Sequence, residues 1–227
     1  MSTLYIVATP IGNLKDISTR AADVLESVAY IACEDTRTSG VLLNHLGIHA
    51  STFAFHQHNE HQKVNHIMNI LDARQNVAII SDAGMPGISD PGFLAVRAAH
   101  LGGHTVIVIP GPDAATTALV ASGLPCDKYV FEGFLPQKKG RQKRLRQLAE
   151  EDRSVVLFES PYRLQKLLSE LRSYMGDQRM AAVCRELTKK FEEVVRGPLK
   201  SVVDRFEVRD EIKGEIVVVI APKDYSE

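Results

Sequence analysis

The chain has 227 residues, 44% of them hydrophobic and 24% charged, the balance of an ordinary globular protein long enough for one large domain or two small ones. A formal net charge of −1 excludes a bulk electrostatic binder of nucleic acid, so any such binding has to come from local patches. Cys33, Cys126 and Cys184 are odd in number and widely spaced, which excludes a disulfide framework and fits core packing in a reducing cytoplasm. No apolar stretch reaches bilayer length, and Met1 to Thr9 lacks the basic start of a signal segment.

In chain order, the apolar run from Leu4 to Ala8 predicts a strand near 4–9 that ends in a turn holding Thr9, Pro10, Gly12 and Asn13. Ser18 then caps a helix near 18–28. A strand near 29–33 leads through Glu34, Asp35 and Arg37 into a helix near 36–46, and a strand near 51–55 leads through FHQHNE into a helix near 59–73. VAII predicts a strand near 76–82, followed by the glycine- and proline-rich turn Ser81 to Gly92 and a helix near 91–102. TVIVI predicts a strand near 104–110, followed by Pro110 to Ala114 and a helix near 113–122. Strand alternating with helix makes a parallel sheet covered on both faces, and ligands of such sheets sit beyond the carboxyl ends of the strands. After Ser122 the texture changes to YVFEGFL, a basic helix, SVVLFES, a helix near 162–174, and three strands with few helical residues between them, MAAVCREL, EEVVRGPL and GEIVVVIAP. The last strands are close enough to pair antiparallel in a mixed sheet. The expected domains are therefore 1–123 and 124–227, both α/β, with the boundary near Leu124 and a small-ligand cleft where they meet.

The turns carry the chemistry. Glycine lets peptide groups approach a ligand and proline stiffens the loop, while the absence of G-x-G-x-x-G and of a Gly-Lys-Ser/Thr phosphate loop argues against a pyrophosphate. Glu34, Asp35 and Arg37 lie at the same sheet end; the structural alternative is that Asp35 or Thr36 caps a helix and Arg37 pairs with Glu34. His56, His58 and His61 with Asn59 and Glu60 lack the cysteines or second carboxylate cluster of a closed metal site, so no metal is expected and the loop is read as positioning a substrate. Lys138, Lys139, Arg141, Lys143, Arg144 and Arg146 are six cations without an acid among them, and with Arg163, Arg185, Lys189 and Lys190 they make a candidate RNA-facing patch; the alternative is a solvated helix face.

Read in order, TPIGNLKDIS, IACEDTRTSG, FHQHNE, SDAGMPGISDPG, PGPDAATTAL, EGFLPQKKGRQKR, FESPYRL and CRELTKKFEEVVRG resemble the small-subunit ribosomal RNA methyltransferase I family, within the tetrapyrrole-methylase-like class of S-adenosylmethionine (SAM) enzymes. The likeness runs over essentially the whole chain; Asp113 departs from the family pattern, which has serine there, and the chain ends at Glu227 where many relatives continue. The resemblance implies a two-domain tetrapyrrole-methylase-like fold with SAM between the domains against Thr9, Pro10, Asp82, Ala83, Gly84, Met85, Gly111, Pro112, Asp113, Ala114, Phe158, Ser160 and Leu187. It implies 2′-O-methylation of a cytidine in the decoding region of small-subunit rRNA, with rRNA or the 30S subunit as partner, in the cytoplasm, and the expected assembly is a homodimer. The RNA would approach from the side of EDTR, HNE, ESPYR and CRELTKK. Asp35, Arg37, Asn59, Glu60 and Glu159 are the candidate catalytic residues, and Asp35, Glu60, Glu159 and Glu186 the candidate bases, among which the sequence does not choose. A tetrapyrrole (precorrin-type) C-methyltransferase and a non-catalytic SAM-binding module are the alternatives.

Overall fold

A computed structural model describes residues 2–227. The first of two compact units ends at Asp113. It contains β1 (Thr3–Val7), α1 (Thr19–Ser27), β2 (Tyr30–Cys33), α2 (Thr36–Leu46), β3 (Ser51–Ala54), α3 (Glu60–Asp72), β4 (Val77–Ile80), α4 (Phe93–Leu101) and β5 (Thr105–Ile109). The five strands pair parallel in the order β3-β2-β4-β1-β5.

Alternation along the strands splits the core in two. Leu4, Ile6, Val77 and Ile79 face Ile67, Ile70 and Leu71 of α3 and Ala95 and Ala99 of α4. Val7, Ile31, Cys33, Ala78 and Ile80 face Ala21 and Leu25 of α1 and Leu43 of α2. Crossovers that step toward β3 thus lie on one face and those that step back lie on the other, as a single handedness of connection requires. Because all the strands run the same way, the turns that follow them gather at one end. Ser18 caps α1 as expected, its hydroxyl accepting from Ala21 N–H at 3.1 Å.

The second unit, Ala114–Glu227, holds α5 (Ala114–Ala121), β6 (Tyr129–Phe134), α6 (Arg141–Ala149), β7 (Ser154–Glu159), α7 (Leu164–Met175), β8 (Met180–Arg185), β9 (Glu193–Pro198), α8 (Leu199–Glu207) and β10 (Ile216–Ile220). Its sheet has the order β6-β7-β10-β8-β9, with β6 and β7 parallel and the other pairs antiparallel, so it is mixed as the sequence implied. Leucines of α6 and α7, with Leu199, Val202, Val203 and Phe206 of α8, cover one face of this sheet. Helix α5 packs on β7 and β10, which is why it belongs to the second unit although the change of sequence texture comes ten residues later, near Leu124. The expectation of few helical residues between EEVVRGPL and GEIVVVIAP is corrected by α8. Its apolar residues recur at helical spacing directly after Pro198, and that spacing places all four against the sheet.

Candidate functional site

The first unit presents its glycine and proline turns as one cross-braced platform. Thr9 N–H donates to the Gly84 carbonyl at 2.9 Å and Gly84 N–H donates back to the Thr9 carbonyl at 3.0 Å, joining the turn after β1 to the turn after β4. The Thr9 hydroxyl donates to the Ser81 carbonyl at 3.1 Å. Gly84 has φ +80°, left-handed backbone that a side chain would strain. A Cβ on Gly111 would stand 3.0 Å from the Ala8 Cβ, so the turn after β5 is glycine there because it lies against the end of β1. Pro112 adjoins Gly84, and Met85 packs down onto the α3 and α4 side of the core. Thr9, Pro10, Asp82, Ala83, Gly84, Gly111 and Pro112 are thus neighbours, with Asp113 closing the unit.

Beside this platform the turns after β2 and β4 carry acids. Asp35 N–H donates to Asp82 Oδ1 at 3.1 Å, tying the two turns together. Burial and the neighbouring Asp82 raise the Glu34 carboxyl above the usual range, and burial with Asp35 does the same to Asp82. Asp90, from the turn before α4, is pushed up to about 7 by burial and by the charges of Glu34 and Asp82, with the Ser81 hydroxyl opposing part of the shift. Asp35 behaves oppositely. Its carboxylate caps α2 through Arg37 N–H at 2.8 Å and grips the Arg37 guanidinium at 2.6 Å, which holds it at about 2. Arg37 therefore pairs with Asp35, and the expected alternative partner Glu34 is left for the acid group.

The histidine loop is tied internally. The Asn59 side chain accepts from His56 N–H at 2.9 Å and donates to the Ala54 carbonyl at 3.2 Å. Glu60 Oε1 accepts from Gly92 N–H at 3.0 Å and Leu94 N–H at 3.3 Å, so its carboxylate stabilises the start of α4. His56 Nδ1 is buried without a hydrogen-bond partner. Among the described residues no three His, Cys, Asp or Glu side chains are placed to hold a metal ion.

In the second unit β7 and β8 both flank β10, and Glu159 and Arg185 both stand opposite Ile216. Phe158 and Ser160 therefore share a sheet end with Leu187, while Ala114 opens α5. Glu159 is buried and accepts from Arg163 Nε at 2.7 Å and Ser160 N–H at 2.8 Å. Leu187 is buried between Glu186 and Thr188, which both adopt left-handed backbone, with φ of 53° and 67°, and Thr188 Oγ1 has no hydrogen-bond partner among the described residues. Two strained non-glycine residues around one buried leucine mark a loop held in shape by its surroundings.

The family whose description reads Tetrapyrrole (Corrin/Porphyrin) Methylases matches residues 3–203. A Ribosomal RNA small subunit methyltransferase I of Synechocystis sp. is 46% identical over 222 residues, 97% of this chain and 79% of that protein. The chain belongs to the ribosomal RNA small subunit methyltransferase I family. Among solved structures, the methyltransferase CobJ superposes with a TM-score of 0.73 at 16% identity, covering 98% of this chain and 95% of that one. The uroporphyrin-III C-methyltransferase of Thermus thermophilus complexed with S-adenyl homocysteine gives 0.66 at 16%, covering 98% of each chain. These likenesses carry the tetrapyrrole-methylase fold.

For a member of an rRNA methyltransferase family the state of each cation matters, and the basic stretch divides. Among the described residues Lys138, Lys139, Lys143 and Arg146 are exposed and form no ion pair, Arg146 donating to the Gln142 carbonyl. Arg141 is buried, donating to Glu170 at 2.6 Å and to the Pro136 carbonyl at 3.1 Å, and Arg144 pairs with Glu132 through both oxygens. Arg163 is paired with Glu159, Arg185 with Glu193, and Lys189 with Glu186 and Glu215. Four free cations on one short stretch are what a phosphate backbone would meet. Sequence reasoning missed Asp90 as a site residue; the available signal was a carboxylate in a glycine and proline loop with no basic residue from Ser81 to Gly92.

Proposed function

We propose that this chain transfers a methyl group from SAM to the ribose 2′-hydroxyl of a cytidine in the decoding region of small-subunit ribosomal RNA. The observation that carries the reading is the sheet end of the first unit, where braced peptide turns adjoin Glu34, Asp82 and Asp90 with Arg37 held by Asp35. Such a surface repels a pyrophosphate and favours a cation, which fits SAM. Toward the cofactor we assign Thr9, Pro10, Asp82, Ala83, Gly84, Met85, Gly111, Pro112 and Asp113 in the first unit and Ala114, Phe158, Ser160 and Leu187 in the second. When bound, SAM supplies a methyl group already activated on a sulfonium, so no covalent enzyme intermediate is required.

The chain has to position the hydroxyl, exclude water and accept its proton. Among the acids, Asp35 is neutralised by Arg37, Glu60 serves the start of α4, Glu159 is held by Arg163, and Glu186 is held by Lys189. Asp90 is the carboxyl whose surroundings match proton acceptance near neutral pH, and we assign it that role. Asn59 and Arg37 shape the acceptor side by holding the histidine loop and the start of α2.

Lys138, Lys139, Lys143 and Arg146 give RNA backbone contact, which sets position and affinity while leaving base choice to other groups. The homodimer draws support from β6, an edge strand that exposes Tyr129 and Phe134. Assembly of ribosomal subunits places the substrate in the cytoplasm. Incubation with methyl-labelled SAM and either small ribosomal subunits or a uroporphyrinogen-type macrocycle tests the reading. Label should enter RNA; label in the macrocycle alone would overturn it.

A further inference from the structure

A cavity of about 300 Å³ lies at the sheet end of the first unit, between the turn after β1, the first two turns of α2 and the end of β4. That volume is at the small end of ligand pockets, room for one planar ring rather than a macrocycle. Thr9, Thr38, Ser39 and Asp82 supply its polar lining, and Val41 and Leu42 part of its apolar wall. Ser39 is 3% exposed, and among the described residues its hydroxyl reaches no oxygen or nitrogen partner, only the weakly bonding Cys33 thiol beside it. A buried hydroxyl left with only a thiol for company calls for an explanation, and here it lines a half-open cleft. Asp82 lies at the mouth of the same cavity, with Oδ1 accepting from Asp35 N–H.

A donor within and a carboxylate acceptor at the mouth complement the edge of cytosine, which presents an exocyclic amine donor beside ring N3 and O2 acceptors. Uracil presents a carbonyl where cytosine has the amine, and a carboxylate repels it. Four of the lining residues come from α2, the helix that EDTR opens, whereas Gly111 and Pro112 do not line the cavity. We propose that this cavity receives the cytosine of the acceptor nucleotide, turned out of its stack, with Asp82 accepting from the exocyclic amine and the Ser39 hydroxyl donating to the ring acceptors. Enzymes that act on a single nucleotide commonly extrude it in this way. The assignment deepens the function proposed above and rests on it.

Two variants of the full-length chain test it, Ser39→Ala and Asp82→Asn, assayed with small-subunit rRNA carrying either cytidine or uridine at the mapped acceptor position. Wild-type protein should prefer cytidine by about ten- to a hundredfold in kcat/KM, the scale of one well-formed base contact. Asp82→Asn should bring that ratio close to one, since an amide can donate to the uracil carbonyl. Ser39→Ala should lower kcat/KM for cytidine about tenfold, mainly through KM, with urea-unfolding stability nearly unchanged, because the hydroxyl it removes contacts only the weakly bonding Cys33 thiol. SAM affinity by calorimetry should stay within about twofold for Ser39→Ala, whose side chain is not among those assigned to the cofactor.

A cytidine preference unchanged in Asp82→Asn would overturn the proposal, as would a loss of SAM affinity in Ser39→Ala, which would make the α2 side of the cavity part of the cofactor site. Should Asp82→Asn fail to fold, Ser39→Ala alone decides. Product carrying the methyl group on a base instead of the ribose would instead overturn the function above.

Discussion

Asp90→Asn gives the sharpest test of the acid cluster. The Asp90 carboxyl faces Glu34 from the turn after β2 and Asp82 from the turn after β4, with the Ser81 hydroxyl as its polar contact, and it is raised from 3.8 to about 7. A carboxyl whose folded value lies above its unfolded one binds its proton more tightly in the folded chain. Its contribution to stability is therefore full below about pH 4 and is lost as pH rises through about 7. The gap between those values corresponds to about 4 kcal/mol at about 1.4 kcal/mol per pH unit. Water still reaches this half-buried group, and screening reduces the figure to about 1–2 kcal/mol. Asparagine resembles the protonated acid at all pH values. Urea unfolding of the two proteins between pH 5 and 8 should show the variant gaining about 1–2 kcal/mol on wild type as pH rises, the other titrating groups cancelling in the difference. The same variant should lose about a hundredfold or more in methyl-transfer rate with SAM affinity retained. A stability difference that stays flat across this range would refute the reasoning about Asp90.

Glutamine at Lys138, Lys139, Lys143 and Arg146 together should weaken RNA binding across sequences and flatten its salt dependence by roughly 0.7–0.9 of a slope unit per lost phosphate contact; an unchanged slope would return the stretch to a solvated face. Arg141→Ala should instead destabilise the second unit by about 1–3 kcal/mol, because it leaves the partly exposed Glu170 unpaired and takes a cation from beside the buried Glu159, and chemical denaturation measures this. Glu60→Ala should cost about 1–2 kcal/mol of stability through the start of α4 while transfer continues; a hundredfold rate loss in a fully stable variant would make Glu60 a catalytic residue. Gly84→Ala should cost about 1–2 kcal/mol, since φ +80° is strained for alanine, and should weaken SAM binding in calorimetry.

Local signals were legible in the sequence. The unbroken VAII run announced a parallel strand buried on both faces, and Ser18 and Asp35 announced helix starts that both side chains do cap. α8 was hidden because Val202 and Val203 sit between β-rich runs and read as strand until the spacing to Leu199 and Phe206 is counted. Long-range pairing was not legible. Arg141 and Arg144 look as free as Lys143, yet their acids lie 29 and 12 residues away on α7 and β6. Asp90 was missed for the same reason, because one of the charges that raise it, Glu34, comes from the turn after another strand, β2. That the Ser39 hydroxyl meets a thiol and no carbonyl needs the fold itself, since an interior serine on a helix ordinarily finds a carbonyl one turn back.

The central claim is that the acceptor is a ribose hydroxyl. A 2′-O-methyl group removes the nucleophile that alkali uses to cut the adjacent linkage, whereas a methylated base leaves that cut intact. Small ribosomal subunits methylated by this protein with labelled SAM, followed by alkaline hydrolysis and mapping of the labelled nucleotide, therefore give the most direct measurement. The account predicts label in an alkali-resistant dinucleotide that begins with cytidine. Label recovered as a single nucleotide after alkali would contradict it.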